Sequence, residues 1–594
     1  MEAASVGAEA GEMVSMRIQE AREVLNGLGI ESPELEVLKP TEASYTSLLL
    51  QPSGPILGGV GRIGALDQSI SAAKALAFAR LALDRGAHMA IAPEYFTPWA
   101  ALKELMDTGL TPQLGSLWVL GCESIRGEEL ARFKAEAPAN CEVIYEPLEQ
   151  LATDRHLLDP VALVFSSKRS NGQDCIVVLV QFKTCPSRDD LFLEEAVLRR
   201  GTTVYRLRGR CGTLSLVTLI CSDALAVDDA KVADLVDRST VIHIQLNPAP
   251  RNDTYRKYRA EAFRLDARAS ECHILCLNWA RTIVQHDDAG KTHAWPAVGG
   301  STWYLPKDSC AQADAVVLPN HENGLYYTYM KERRHALVFD YDEAVFECRV
   351  PKVMTRGAAV LANKNGPSGT SRYEWNAGTA SWVAQASQPS AGFNELMAAN
   401  ADAAAALPGH GAQSPLDVER LLALSAGAIA GGDEWRQLSR IDSFQIDTDE
   451  LVQRMTVVQD TGDKPAEFRH RRLQAVAQLR HELNRRDEWP AQIQGVARAS
   501  RIEWDAASRP FNVHGDSERP ALVCYLGDNP RDRDLENAAS KLIDLLRRQG
   551  GDNQKRLCLL YRQYGVLAFA RLPGLTRYDD ALEDERDILS TDTD

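Results

Sequence analysis

Residues 202–223 read TTVYRLRGRCGTLSLVTLICSD, and this stretch decides the fold. Two apolar runs, 202–207 and 213–220, flank a Gly-Arg-Cys-Gly turn, and the second runs directly into Cys221-Ser222-Asp223. Both runs are expected to form strands. Downstream, a helix is expected over 227–236, a strand over 241–246 and a helix over 255–271. In the latter, Tyr258, Ala262, Leu265 and Ala269 recur at helical spacing. Strands are expected over 274–278, 301–305, 336–341 and 345–350. Upstream, a strand over 47–51 precedes a helix over 69–85 that Gly86 stops, then strands over 88–92 and 117–121. Residues 161–166 and 175–182 predict a hairpin across Ser-Asn-Gly. Strands alternating with helices imply a layered α/β domain, with edges at about 44 and 352.

Outside those edges the texture changes. Residues 1–43 read as a polar amino-terminal extension with a short helix over 16–28. Residues 353–415, with NKNGPSGTS, SQPSAG and NADAAAALPGHGAQSP, have the composition of a linker. Residues 416–594 read as a second, smaller α/β module of unassigned role. Helices are expected there over 415–430, 466–486 and 534–548, and strands over 520–526, 556–561 and 566–571. The end, DDALEDERDILSTDTD, is an acidic, solvated tail.

Composition excludes several function classes. The 594 residues are 45% hydrophobic and 25% charged, an ordinary globular balance. Lysine plus arginine number 66 against 82 aspartates and glutamates, a net charge of −16 that argues against nucleic-acid binding as the chain's main business. FRHRRLQAVAQLRHELNRR, residues 468–486, is a local basic exception, read as a solvated helix face with Leu473, Val476 and Leu483 inward. No run of 18 apolar residues marks a membrane helix. The opening MEAASVGAEAGEM lacks the basic start and apolar stretch of a signal peptide. Ten of the twelve cysteines lie from Cys122 to Cys348, mostly singly in apolar runs, as buried free thiols do. Cys272 and Cys276 beside His273 have no zinc-ribbon spacing and read as a buried strand. The expected setting is therefore the reducing cytoplasm, with no membrane and no metal.

Three residues share one structural situation. Glu94, Lys183 and Cys221 each end an apolar strand, in IAPEYF, VQFKTCP and LICSDAL. Sites in open α/β sheets assemble at that edge. A thiolate is a strong nucleophile, but a free thiol has a pKa of about 8.5 and needs help at neutral pH. A helix amino terminus after the strand would favour the anion. A carboxylate can take the thiol proton and later give it to a leaving amine. A lysine can hold an oxyanion, with the backbone N–H after the cysteine as second donor. The set suits acyl transfer from an amide or nitrile carbon through a thioester or thioimidate, with no histidine in the scheme.

In these motifs and their order the sequence resembles the nitrilase superfamily of carbon–nitrogen hydrolases. ARASECHILCLNWA resembles that family's helix-to-strand segment, and GGSTWYLP its Gly-Gly-Ser strand. The resemblance spans about 45–350. It implies an α-β-β-α sandwich, Glu94 as general base, Lys183 as oxyanion stabiliser and Cys221 as nucleophile. It further implies an orienting second glutamate, for which Glu194 is best placed and Glu195 is its neighbour. Homo-oligomers and no metal or organic cofactor are also implied. Ser222, Asn247 and Asn278 are candidates for substrate contact, while Arg268 and Glu271 read as a structural ion pair. Departures from the pattern are SDALAVDD after the cysteine and TCPSRDDLFLEE after the lysine, so the substrate class stays open.

Two functions follow as expectations. One is a cysteine-dependent hydrolase of a small molecule's non-peptide C–N bond (amide, carbamoyl or nitrile). The other is a nitrilase-like scaffold, or a partner-activated effector, in a bacterial signalling or antiviral defence system, with residues 416–594 docking a protein partner. A glutaminase feeding ammonia to a synthetase would need a nucleotide-binding motif that residues 353–594 lack. Gly527-Asp528-Asn529-Pro530 has no phosphate-cradle spacing.

Overall fold

The computed structural model describes residues 16–40, 44–150, 155–188, 193–227, 239–248, 272–295, 301–305, 323–330, 334–352, 366–386, 421–427, 463–485, 501–502, 511–515, 520–547 and 553–570, apart from single positions within these spans and together with isolated residues between and after them. The chain divides into two compact units, residues 1–311 with 337–387, and residues 312–336 with 388–594. The architecture is mixed α/β with several sheets.

Two large sheets build the first unit. One has nine strands in the order Ser381–Ala384, Ser368–Asn376, Ala344–Pro351, Ser44–Gln51, Met89–Thr97, Leu117–Cys122, Pro160–Lys168, Asp174–Phe182 and Cys141–Ile144. The other runs Arg17–Glu20, Thr203–Arg208, Ser215–Ile220, Ser239–Ile244, His273–Leu277, Thr302–Leu305 and Arg334–Phe339. Gln181 links the two, donating Nε2–H to Thr218 O at 2.9 Å and accepting the Tyr205 N–H at 2.9 Å. The central strands of the nine-stranded sheet are buried on both faces. Leu48, Leu50, Ala90, Val178 and Val180 share one hydrophobic cluster with residues of the helix Gln68–Asp84, and the alternate residues Leu49, Ile91 and Leu179 point to the other side. This explains the uninterrupted apolar runs. The helix begins where Asp67 accepts the Ser69 and Ile70 N–H groups, and it ends before Gly86 at φ 58.

The hairpin expected around 161–182 forms, pairing Pro160–Lys168 with Asp174–Phe182. Two expectations need correction. The helix expected over 16–28 begins only at Ala21. Ahead of it Arg17–Glu20 pairs in parallel with Thr203–Arg208, because the open edge of the sheet satisfies those backbone groups first. Residues 368–384, expected within a linker, form a hairpin on the strand Ala344–Pro351. Its alternating aromatics hold it. Trp375 and Trp382 pair across the strands at 5.2 Å, Tyr373 Oη donates to Glu347 at 2.7 Å, and Trp382 Nε1 donates to Lys74 O at 3.1 Å. The helices expected over 227–236 and 255–271 fall almost wholly outside the described residues.

The second unit carries a three-stranded sheet of Leu522–Asp528, Leu557–Gln563 and Val566–Phe569, with helices Asp463–Arg485 and Asp532–Arg547. Leu473, Val476 and Leu483 do face inward, into a core with Val523, Leu542 and Leu559. No helix among the described residues is long and apolar enough to cross a membrane.

Candidate functional site

Glu94 leaves its sheet through a bulge. Ala92 pairs with Leu120 and Thr97 with Cys122, so residues 93–96 loop out against the single residue Gly121. A side chain at Gly121 would put its Cβ 2.1 Å from Pro93 O, so only glycine lets the bulge lie this close. Tyr95 takes the left-handed conformation, φ 59, within the bulge. Glu94 is thereby turned inward, where Oε2 accepts the Leu246 N–H at 2.5 Å and its carbonyl accepts Trp279 Nε1–H at 2.8 Å.

Lys183 directly follows the strand Asp174–Phe182. Its backbone N–H donates to Asp159 O and its carbonyl accepts the Gly201 N–H, each at 2.8 Å. Its ammonium donates to Glu94 Oε1 at 2.7 Å and to Glu194 at 2.9 and 2.7 Å. Glu194 also accepts Tyr95 Oη–H at 3.0 Å and the Ser187 N–H at 2.6 Å. Of the two neighbouring acids only Glu194 is inward, whereas Glu195 is exposed and pairs with Arg200.

Cys221 closes the strand Ser215–Ile220 and opens a 3-10 helix, Cys221–Ala226, with φ 41. So short a helix offers only a weak dipole at Cys221. Two residues without an assigned role in the sequence reading hold this elbow. Asp223 accepts the Thr184 N–H at 2.6 Å, the Cys185 N–H at 3.0 Å and, on its other oxygen, the Ile220 N–H at 3.1 Å. It ties the elbow to the loop after Lys183. His243 Nε2 bonds Cys221 O at 2.7 Å. Ser222 Oγ donates to Cys185 O. Asn278 braces two strand ends, accepting the Asn247 N–H at 3.0 Å and donating to Asn247 O at 2.9 Å.

A third acid was missed by the sequence reading. Asp159 lies with an oxygen 3.4 Å from Lys183 Nζ. Oxygens of Glu94, Asp159 and Glu194 lie within 4.8 Å of one another, and none of these residues nor Lys183 is more than 2% exposed. Three converging carboxylates could hold a cation, but the Lys183 ammonium already supplies it there. Burial raises the Glu94 pKa, and Lys183 only partly offsets this. Burial and then the Glu94 charge push Asp159 well above the usual range. Burial alone would lower Lys183, but Glu194, Glu94 and Asp159 together raise it well above a free lysine. Cys272, His273 and Cys276 are buried as expected, and His273, by burial, is lowered to about 4. Arg268 and Glu271 lie outside the described residues.

No family model matches the chain, and no curated protein does. Among solved structures it is similar to an amidase from Nesterenkonia sp., with 16% identity and a TM-score of 0.26 over 44% of this chain and 83% of that one. A mutant of the Nesterenkonia AN1 amidase from the nitrilase superfamily gives 16% and 0.26 over 45% and 86%. The glutamine-dependent NAD+ synthetase from Acinetobacter baumannii gives 14% and 0.29 over 54% of this chain, which spans about half, 49%, of that enzyme.

Proposed function

We propose that this protein is a cysteine-dependent hydrolase of a non-peptide C–N bond, built on an α-β-β-α sandwich, with Cys221 as nucleophile. The observation that carries the reading is a buried Lys183 hydrogen-bonded to both Glu94 and Glu194, electrostatically coupled to the Cys221 thiol on a left-handed strand-end turn. Glu94 takes the thiol proton as sulfur attacks the amide or nitrile carbon. Lys183 and the backbone N–H of Ser222 hold the oxygen or nitrogen anion that develops. For an amide, the intermediate collapses, the C–N bond breaks, and Glu94 returns its proton to the departing amine. Water then adds to the thioester with Glu94 as base, releasing the acid and restoring the thiol. Glu194 touches neither sulfur nor substrate in this scheme and acts by holding Lys183. Asn247 and Asn278, at strand ends beside Leu246, line the substrate side, and residues 416–594 serve a protein partner.

The test is alkylation of Cys221 followed by mass spectrometry against pH, together with an amide and nitrile screen. Labelling well below pH 8.5 that falls in Glu94→Gln and Lys183→Ala supports the reading. Cys185 is half-buried beside Lys183, and burial raises its pKa, which makes it the internal comparison. Labelling of Cys221 no faster than Cys185 would favour a scaffold or an effector that needs its partner.

A further inference from the structure

We propose that Asp159 is a positioning residue of this site, a neutral carboxylic acid whose O–H donates to Glu94. The inference rests on the hydrolase reading for its purpose and on the packing for its substance. Three carboxylates around one ammonium would leave two uncompensated negative charges in a closed, buried space, so one carboxyl keeps a proton. Counting donors shows which. Glu194 accepts from Lys183, Tyr95 and Ser187, and Glu94 accepts from Lys183 and Leu246. Neither oxygen of Asp159 accepts a hydrogen bond among the described residues, and its 3.4 Å approach to Lys183 is longer than a charge-assisted bond. Two carboxylates in contact repel, and they bond only when one carries the proton. Asp159 is the acid that nothing else supports as an anion.

The titratable groups facing Asp159 are Glu94 and Tyr95 from the bulge, Lys183 and Glu194, and the Cys122 thiol of the adjacent strand. The phenol and thiol are both held in their neutral forms, chiefly by burial, so neither competes for this role. A neutral Asp159 has two consequences. It keeps Glu94 ionised and aimed while the enzyme rests. It also claims none of the three Lys183 N–H bonds, which go to Glu94 and to the two oxygens of Glu194, and one of that last pair can turn to the oxyanion while the other keeps Glu194 in place.

The test separates a donor from an anion. Asparagine at position 159 still donates an N–H but cannot ionise, whereas alanine does neither. Cys221 labelling at neutral pH should stay close to wild type in Asp159→Asn and fall about tenfold in Asp159→Ala, the rate equivalent of one lost hydrogen bond to a charged group. Infrared spectra of the resting wild-type protein should show a carbonyl stretch of a protonated carboxylic acid that vanishes in Asp159→Asn. An asparagine variant as impaired as the alanine variant, an alanine variant that labels like wild type, or the absence of that band would each overturn the proposal. Slow labelling of wild-type Cys221 would sink the hydrolase reading instead, and the infrared band would still judge Asp159.

Discussion

The two units each present a strand end feeding a loop, and the two ends differ in what burial does to charge. In the first unit Glu94, Asp159, Lys183 and Glu194 converge where solvent is excluded, and each is perturbed or held by the others. In the second unit the strand Leu522–Asp528 enters Gly527-Asp528-Asn529-Pro530 and then the helix Asp532–Arg547. There Asp528 is exposed and simply accepts the Tyr525 hydroxyl, while the Asn529 N–H donates to Arg562 O at 2.7 Å. Strand-end topology is common to both. Only the first couples its charges in a low dielectric, where an electrostatic interaction is strong enough to do chemistry.

The comparison breaks most sharply on turnover. Cys221→Ser should abolish it and Glu94→Gln should lower it by about a thousandfold, as loss of a general base does, while Asp528→Asn leaves it unchanged. Assay of whichever amide or nitrile the screen finds decides this. Next in size is stability. Lys183→Met strips the cation from three buried acids and should cost about 3–5 kcal/mol in denaturant unfolding. By contrast, Arg562→Met removes a partly exposed pair with Glu482 and should cost about 1 kcal/mol or less.

Two smaller effects sharpen the contrast. Gly121→Ala should cost about 1–3 kcal/mol and slow Cys221 labelling, because the new methyl displaces the Glu94 bulge. The last effect is a pH trend. Asp159 has its pKa raised by burial in the folded state, so the fold binds more protons than the unfolded chain above about pH 4. The contribution of Asp159 to stability is then full below that pH and is lost as pH rises toward its folded pKa. Melting temperatures of Asp159→Asn should gain on wild type from about pH 4 to neutrality. A difference that stays flat across that window would contradict a raised pKa.

Much of the site was legible because its members end apolar strands in short motifs. IAPEYF, VQFKTCP and LICSDAL each announce a strand and a polar residue at its close, and the family resemblance, which implies a second glutamate, pointed to Glu194, seven residues before Gly201. Asp159 was not legible. It stands before Pro160 in LLDPVALVF, where an aspartate reads as a turn residue, and only the crossing of the strand after it brings its carboxyl beside Glu94. His243 was hidden for the same reason, since its bond to Cys221 O joins neighbouring strands 22 residues apart in the chain. The hairpin 368–384 was masked by the glycine and serine around it, although the alternation in RYEWN and SWVA is a strand signal.

The sequence alone determined the layered α/β class of the first unit, the strand ends and the nucleophile, base and lysine to look for. These depend on local periodicity and residue chemistry, which a linear chain displays. Tertiary structure alone decided which acids are buried together, which of them lacks a donor and how Asp223 and His243 hold the elbow. Those properties arise from residues distant in sequence sharing one desolvated space, and the free energy of a charge depends on that space rather than on its neighbours along the chain.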